Sequence, residues 1–404
     1  MTKKRYILSV LILGSLTAIG PFSIDMYLPG FAAIAKSFHT TTAQVSLSLS
    51  SFFIGISLGQ LLYGPLLDRF GRKKPLYVGL LLYILTSIGC YFSNSIESLI
   101  ILRFIQAVGS CAAGVASMAM VRDIFPLKDN AKIFALLILI LGVSPMVAPT
   151  VGGYVTAAFG WQLIFLILAA IAAIVLLAVI FALPESYQPD PNFSLKPKPI
   201  LNNFLLVVKH PSFYTFSICG ALAFSGLFAY LAASPFVFMT VFGLSAKVYG
   251  WIFAFLSVGF IGSSQLNTFL IKNFSSIQII RGALTAMLII SGTFLIGSLN
   301  GWINVYTTIL SVFLLLCCVG IANPNTSALS LAPFAKNAGT AASLLGAFQM
   351  AAGSISSLMV GLFKSQSTIP MAGIMFVSAL SSFLIFLYGS KVALKQESKN
   401  ELQA

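Results

Sequence analysis

The chain has 404 residues, 58% of them hydrophobic and only 8% charged, with a formal net charge of +14. A water-soluble domain cannot hide that much apolar surface, and uncharged runs of about 20 residues read as membrane-spanning helices. The basic excess invites a nucleic-acid partner, but Lys and Arg do not form a stripe among aromatics; they sit between apolar segments, so no nucleic acid is expected.

Twelve apolar segments follow one another, at 6–36, 43–66, 75–93, 98–121, 132–157, 161–183, 212–234, 247–271, 276–299, 302–324, 337–361 and 369–390. Lys3-Lys4-Arg5 opens the first as it would a signal peptide, but the apolar pattern runs past residue 30 and predicts a spanning helix instead. That segment holds Asp25, between Pro21 and Pro29, the only acid well inside a predicted span. An intramembrane carboxylate is costly and by default marks a functional site. Desolvation favours its neutral form and a nearby cation its charged form, so a carboxylate between the two can load and release a proton. Each proline removes a helix hydrogen bond and frees carbonyls that can line a cavity. The alternative is a carboxylate that caps a broken helix or pairs permanently with a base.

Between the second and third segments runs Gly64-Pro65-Leu66-Leu67-Asp68-Arg69-Phe70-Gly71-Arg72-Lys73-Lys74-Pro75-Leu76. Asp68 is expected to pair with a base on a neighbouring helix end, and Arg72 with another acid, Asp123 being the best candidate. Gly64 and Gly71 are read as permitting close helix approach and a sharp turn. Contacts of this kind act as a conformational latch, while Arg122 and Asp123 can also be plain solvated loop charges.

The fourth segment carries Arg103 and, three residues on and so on the same face, Gln106. With the first helix running outward and the fourth inward, Arg103 and Asp25 reach similar depths at about 1.5 Å per residue. Arg103 is read as the group that tunes Asp25, against the alternative of an arginine snorkelling to the outer headgroups. Gln106 is placed to line the cavity or steady the guanidinium. In the fifth segment Gly142, Pro145, Pro149, Gly152 and Gly153 have no acid-base chemistry; they read as a pliable packing seam, a pattern also common in ordinary membrane helix contacts.

The stretch 184–211 carries six prolines and no helical period and reads as a linker. It divides the chain into 1–183, a six-helix bundle, and 212–404, a second bundle with a short tail. In the second half Tyr230 joins Tyr27 as a candidate cavity aromatic, and Asn323-Pro324-Asn325 reads as the end of the tenth helix. With the N-terminus in the cytoplasm, all but four of the 23 Lys and Arg fall inside. Lys36, Lys247 and Lys364 fall outside and Arg103 lies within a helix, so both termini are expected to be cytoplasmic.

No G-x-x-x-x-G-K-[ST] sequence is present, so no ATPase unit is expected. The five cysteines all lie in apolar segments without metal-ligand spacing. No nucleophile, base and oxyanion set can be assembled, which argues against an enzyme.

The 64–76 run, of order G-x-L-x-D-R-x-G-R-(R/K), resembles the loop between helices two and three of the major facilitator superfamily, twelve-helix secondary transporters. The Pro21–Pro29 stretch, Arg103-Phe104-Ile105-Gln106-Ala107-Val108-Gly109, and Gly142 to Gly153 extend the likeness. The last is similar to the antiporter signature G-P-x-x-G-G, with Ala148 in place of a glycine. Together they resemble the bicyclomycin/chloramphenicol-resistance (Bcr/CflA-type) branch of drug:proton antiporters.

The resemblance implies an all-α integral membrane protein, twelve transmembrane helices in two six-helix bundles. It implies an inner-membrane exporter of hydrophobic drugs giving multidrug resistance, driven by the proton gradient with no cofactor or metal and working as a monomer in the lipid bilayer. Asp25 and Arg103 would couple the proton; Gly64, Asp68, Arg69, Gly71, Arg72 and Asp123 would form the latch. The alternatives are proton-coupled metabolite uptake on the same fold, and a transport-inactive membrane receptor or scaffold.

Overall fold

In the computed structural model the described residues are 3–125, 127–189, 197–334, 338–363 and 367–401, and among them every regular element is helical. In chain order the helices are α1 Lys3–Asp25, α2 Phe31–Ser37, α3 Thr42–Phe70, α4 Lys73–Tyr91, α5 Ile96–Ile124, α6 Leu127–Phe159, α7 Gln162–Ala182, α8 Pro197–Val208, α9 Pro211–Pro235, α10 Ala246–Leu270, α11 Ser276–Leu299, α12 Val305–Leu331, α13 Ala338–Leu362 and α14 Ile369–Glu401. A 3-10 turn, Leu28–Gly30, joins α1 to α2, and a π-helical stretch, Phe236–Val241, extends α9.

Among the described residues eleven helical runs are long and apolar enough to cross a membrane. Helix α6 occupies the fifth predicted segment, so each of the twelve segments holds a helix. The chain is a multi-pass membrane protein. Helices α3 and α5, 29 residues each, are about 44 Å long and outrun a hydrocarbon core of about 30 Å. Their charged last turns therefore stand in water, and hydropathy alone ends them several residues early.

Helix α1 stops at Asp25 for a local reason. Pro29 has no N–H to give the Asp25 carbonyl, and its ring clashes with that carbonyl four residues back. The chain turns through Met26 and Tyr27 and restarts as α2. The 184–211 connection, read from sequence as wholly irregular, holds helix α8. Pro197 and Pro199 occupy its first turn, where a missing N–H breaks no intrahelical bond, so these prolines mark a helix start. Helix α12 likewise continues through Pro324 to Leu331, correcting the reading of Asn323-Pro324-Asn325 as its end.

The chain falls into two compact units, Met1–Lys196 with Ser245–Ala254, and Pro197–Leu244 with Phe255–Ala404. One of the boundaries, Lys196/Pro197, falls within 184–211, while Ser245–Ala254, expected in the second bundle, groups with the first unit. In the first unit α1 packs against α5, α6 and α7, and α5 also holds α3 and α4. In the second, α9 is packed by α12, α13 and α14.

Candidate functional site

Asp25 closes α1 at 4% exposure. Among the described residues its carboxylate has no hydrogen-bond or ion-pair partner, and no ion pair joins it to Arg103. The guanidinium reaches the same stretch of α1 by another route. Arg103 is fully buried and donates from Nη2 to the Ser23 carbonyl at 2.9 Å and from Nη1 to Gln106 Oε1 at 2.7 Å. Among the described residues its Nε has no hydrogen-bond partner. Three rings surround it, with centroids 4.1 Å (Phe52), 4.7 Å (Tyr27) and 5.8 Å (Phe165) from the guanidinium carbon. A buried cation is thus held by π faces and neutral dipoles, with no carboxylate beside it among the described residues. Ser23 and Tyr27 sit one helical turn apart along the chain; Asp25, two residues on from Ser23, is rotated by about 200° from it about the α1 axis, which keeps its carboxylate off the guanidinium.

The surrounding hydroxyls form a directed chain. Gln106 Nε2 donates to Ser87 Oγ at 2.6 Å, and Ser87 donates to the Tyr83 carbonyl at 2.6 Å. Ser23 Oγ gives its one proton to the Ile19 carbonyl at 2.6 Å, so its 2.6 Å contact with Tyr83 is donated by the phenol. By the same reasoning Tyr27 donates to Ser48 at 2.8 Å, because Ser48 donates to the Val45 carbonyl. Gln106 does steady the guanidinium. Both Tyr27 and Gln106, expected to line an open cavity, are fully buried in this cluster. Ser23, Phe52, Tyr83, Ser87 and Phe165 were missed by sequence reasoning. Tyr83 and Ser87, four apart on one face of an apolar helix, were the available signal; Phe52 and Phe165 are hidden among 35 phenylalanines.

The α3–α4 loop is a second, separate constellation. Arg72 Nε donates to Asp123 Oδ2 at 2.8 Å, and Nη1 to Asp68 Oδ1 at 2.7 Å. Asp68, in the last turn of α3, thus pairs with a base at the start of the neighbouring helix α4, one only four residues along the chain. Burial pulls the Arg72 pKa down, but hydrogen bonds and charge from Asp123 and Asp68 outweigh it, and the net shift is upward. Gly71 has φ +82, and a Cβ there would stand 3.3 Å from Glu185 Oε2 and from the Tyr187 carbonyl oxygen. At Gly64 the expected close approach is absent, since a Cβ would meet nothing within 4 Å. Arg69 lies in the last turn of α3.

The segment after α7 straps this loop down, a feature the sequence did not reveal. Glu185 accepts from the backbone N–H of Arg72 at 2.9 Å and of Lys73 at 3.1 Å, capping the start of α4. Ser186 Oγ donates to Asp123 Oδ2 at 3.1 Å, and Lys73 Nζ donates to the Leu183 carbonyl at 2.7 Å. The Tyr187 ring lies 4.2 Å beneath the Arg72 guanidinium.

Helix α6 bears on the turn that follows Asp25 through backbone. A Cβ on Gly152 would overlap the carbonyl of Met26, the residue immediately beyond Asp25, and one on Gly153 would stand 2.7 Å from the Ala246 carbonyl oxygen. Pro145 and Pro149 lie inside the helix and Ala148 is fully buried. Gly142 lies in the same helix, with its surroundings outside the described residues.

In the second unit Tyr230 is buried on α9. Asn325 Nδ2 donates to Asn267 Oδ1 at 2.7 Å, and Gln349 Nε2 to Asn323 Oδ1 at 2.9 Å. A cleft of about 320 Å³ is lined by Leu270, Phe274, Gln278, Ile279, Cys318 and Ile321 among others, none singled out in the sequence as a cavity residue. Among the described residues no group of His, Cys, Asp or Glu is arranged to hold a metal.

Comparison with known proteins is consistent along the whole chain. Residues 13–357 match the family model of the Major Facilitator Superfamily. An uncharacterized MFS-type transporter of Bacillus subtilis, YdgK, is 32% identical, covering 98% of this chain and 99% of its own. A bicyclomycin resistance protein homolog of Haemophilus influenzae is 31% identical over 96% of this chain and 97% of its own. Among solved structures, a bacterial homolog of the human lysosomal transporter Spinster, inward-facing and unoccupied, superposes with a TM-score of 0.73 at 14% identity, covering 98% of this chain and 99% of that one.

Proposed function

Since the chain belongs to the Major Facilitator Superfamily, membrane transporters and not enzymes, we propose that it is a proton-coupled antiporter. In this reading it exports hydrophobic drugs or toxic small molecules, cationic or zwitterionic ones included, across the bacterial inner membrane. The observation that carries the proposal is the buried carboxylate of Asp25 at the break in α1, without a partner among the described residues and two residues from the carbonyl that Arg103 holds, with Gly152 packed on the backbone of the next residue, Met26. A resting ion pair there would have spoken for a structural role. The likeness to a bicyclomycin resistance protein homolog supports a drug as cargo, and the distribution of bases supports two cytoplasmic termini.

Asp25 takes up the proton. In its ionised form it is drawn towards the guanidinium of Arg103, whose Nε is an unclaimed donor. That attraction turns the Met26–Tyr27 segment, and protonation releases it. The Arg72 cluster holds one conformation of the first unit until that release. Protons and drug are the only ligands required; the protein works as a monomer without an ATPase subunit.

The test is drug tolerance and dye accumulation in an efflux-deficient bacterium expressing the chain or its Asp25→Asn variant, with and without a protonophore. Lower accumulation that needs both Asp25 and the proton gradient is the expected result. Full export by Asp25→Asn removes Asp25 as the carrier. Movement of protons and substrate in the same direction in proteoliposomes would replace export with uptake.

A further inference from the structure

Helix α8 takes no part in that reading. Its twelve residues span about 18 Å, too short to cross a bilayer. Val207 is buried, and the helix packs on α9 and α13 within its unit. Leu201 and Leu205, one turn apart, form an apolar stripe left 56% and 42% exposed. Lys198 and Lys209, both exposed, fall within about 40° of Leu205 around the helix axis. No acid occurs between 197 and 211. Two residues beyond Lys209 the chain enters α9, whose run Pro211–Val241 is long and apolar enough to span the membrane. The last turn of α8 is therefore fixed at the level where α9 crosses the membrane boundary.

We infer that α8 is an in-plane anchor. Its Leu201–Leu205 stripe is sunk into the headgroup boundary of the bilayer, and Lys198 and Lys209 lie on anionic phospholipid headgroups. The stripe faces lipid, the aliphatic stems of the two lysines follow it, and their ammonium groups reach the phosphates. Asn203, about 160° from Leu205, faces away, and Leu206 lies outside the stripe. The arrangement needs a membrane but not drug transport, so it stands or falls separately from the antiporter proposal.

The experiment uses the full chain in vesicles of phosphatidylcholine, with or without phosphatidylglycerol. Nitroxide labels are placed at Leu201→Cys, Leu205→Cys and Asn203→Cys, with the unsubstituted chain as the blank for its own cysteines. Labels at 201 and 205 should collide several-fold more with oxygen than with a water-soluble nickel chelate, at a depth of roughly 5–10 Å; the label at 203 should show the reverse. Replacing both lysines (Lys198→Gln with Lys209→Gln) should make the labels shallower only where phosphatidylglycerol is present. Nickel reaching 201 and 205 as freely as 203 would put the helix in water and overturn the anchor. Labels at 201 and 205 that neither reagent reaches would mean a protein cover, such as a second copy, and overturn it equally. Insensitivity of the double lysine variant to phosphatidylglycerol would overturn the headgroup contact.

Discussion

At the scale of single residues, Arg103 is the least conventional group in the first unit. A guanidinium has five donors in a rigid fork, and here the fork meets Gln106 and the Ser23 carbonyl while its faces meet rings. Lysine keeps the charge but loses the fork and the stacking surface. Arg103→Lys should therefore fold and still bind drug, yet lower the rate of coupled export by about tenfold, the equivalent of about 1.4 kcal/mol in the barrier. The check is drug affinity by equilibrium binding beside proton-driven flux in proteoliposomes. A variant with unchanged flux would show that the charge alone suffices. Asp25 and Arg103 were visible in the sequence because a charge inside an apolar run is conspicuous. Their lack of a direct pair was not visible, because depth along a helix says nothing about azimuth, and a proline four residues on decides where α1 ends.

Among the elements, the α3–α4 loop and the segment that follows α7 act on one another. The loop was legible in the sequence from charge and glycine spacing. The strap was not, because Glu185, Ser186 and Tyr187 lie over 100 residues away in a proline-rich stretch with no period. Removing the guanidinium leaves Asp68 and Asp123 facing the loop without their cation. Arg72→Ala should cost about 1–3 kcal/mol of stability, the Asp68 contact being partly in water, and should reduce turnover more than substrate affinity. Tyr187 separates the two effects. The Tyr187→Phe variant keeps a ring under the guanidinium and should keep turnover; Tyr187→Leu keeps apolar volume but loses the ring and should lower turnover with KM little changed. Equal behaviour of the two variants in steady-state export would reduce the strap to packing.

For the whole molecule, sequence reasoning located the apolar segments that hold the long helices, and the all-helical class, because the bilayer imposes them. With no water in the hydrocarbon, every backbone group must be satisfied within its own helix, and apolar length then reports each span. The same logic fails at α8, where the helix is short and its prolines stand at the start. Orientation rests on charge, since bases resist transfer across the membrane. Arg69, Arg72, Lys73 and Lys74 end the second span and begin the third, and Lys198 and Lys209 flank α8, so these points should share one side with both termini. Lys36 and Lys247 mark the other. Green fluorescent protein fused after residue 404 should fluoresce, as it folds only in the cytoplasm. Alkaline phosphatase fused after Phe38 or Gly243 should be active, as it needs the periplasm, and the same enzyme fused after Lys74 should be inactive. Active phosphatase at Lys74 would invert the protein, place the Arg72 cluster outside, and leave the proposed latch on the wrong side to control opening towards the cell interior.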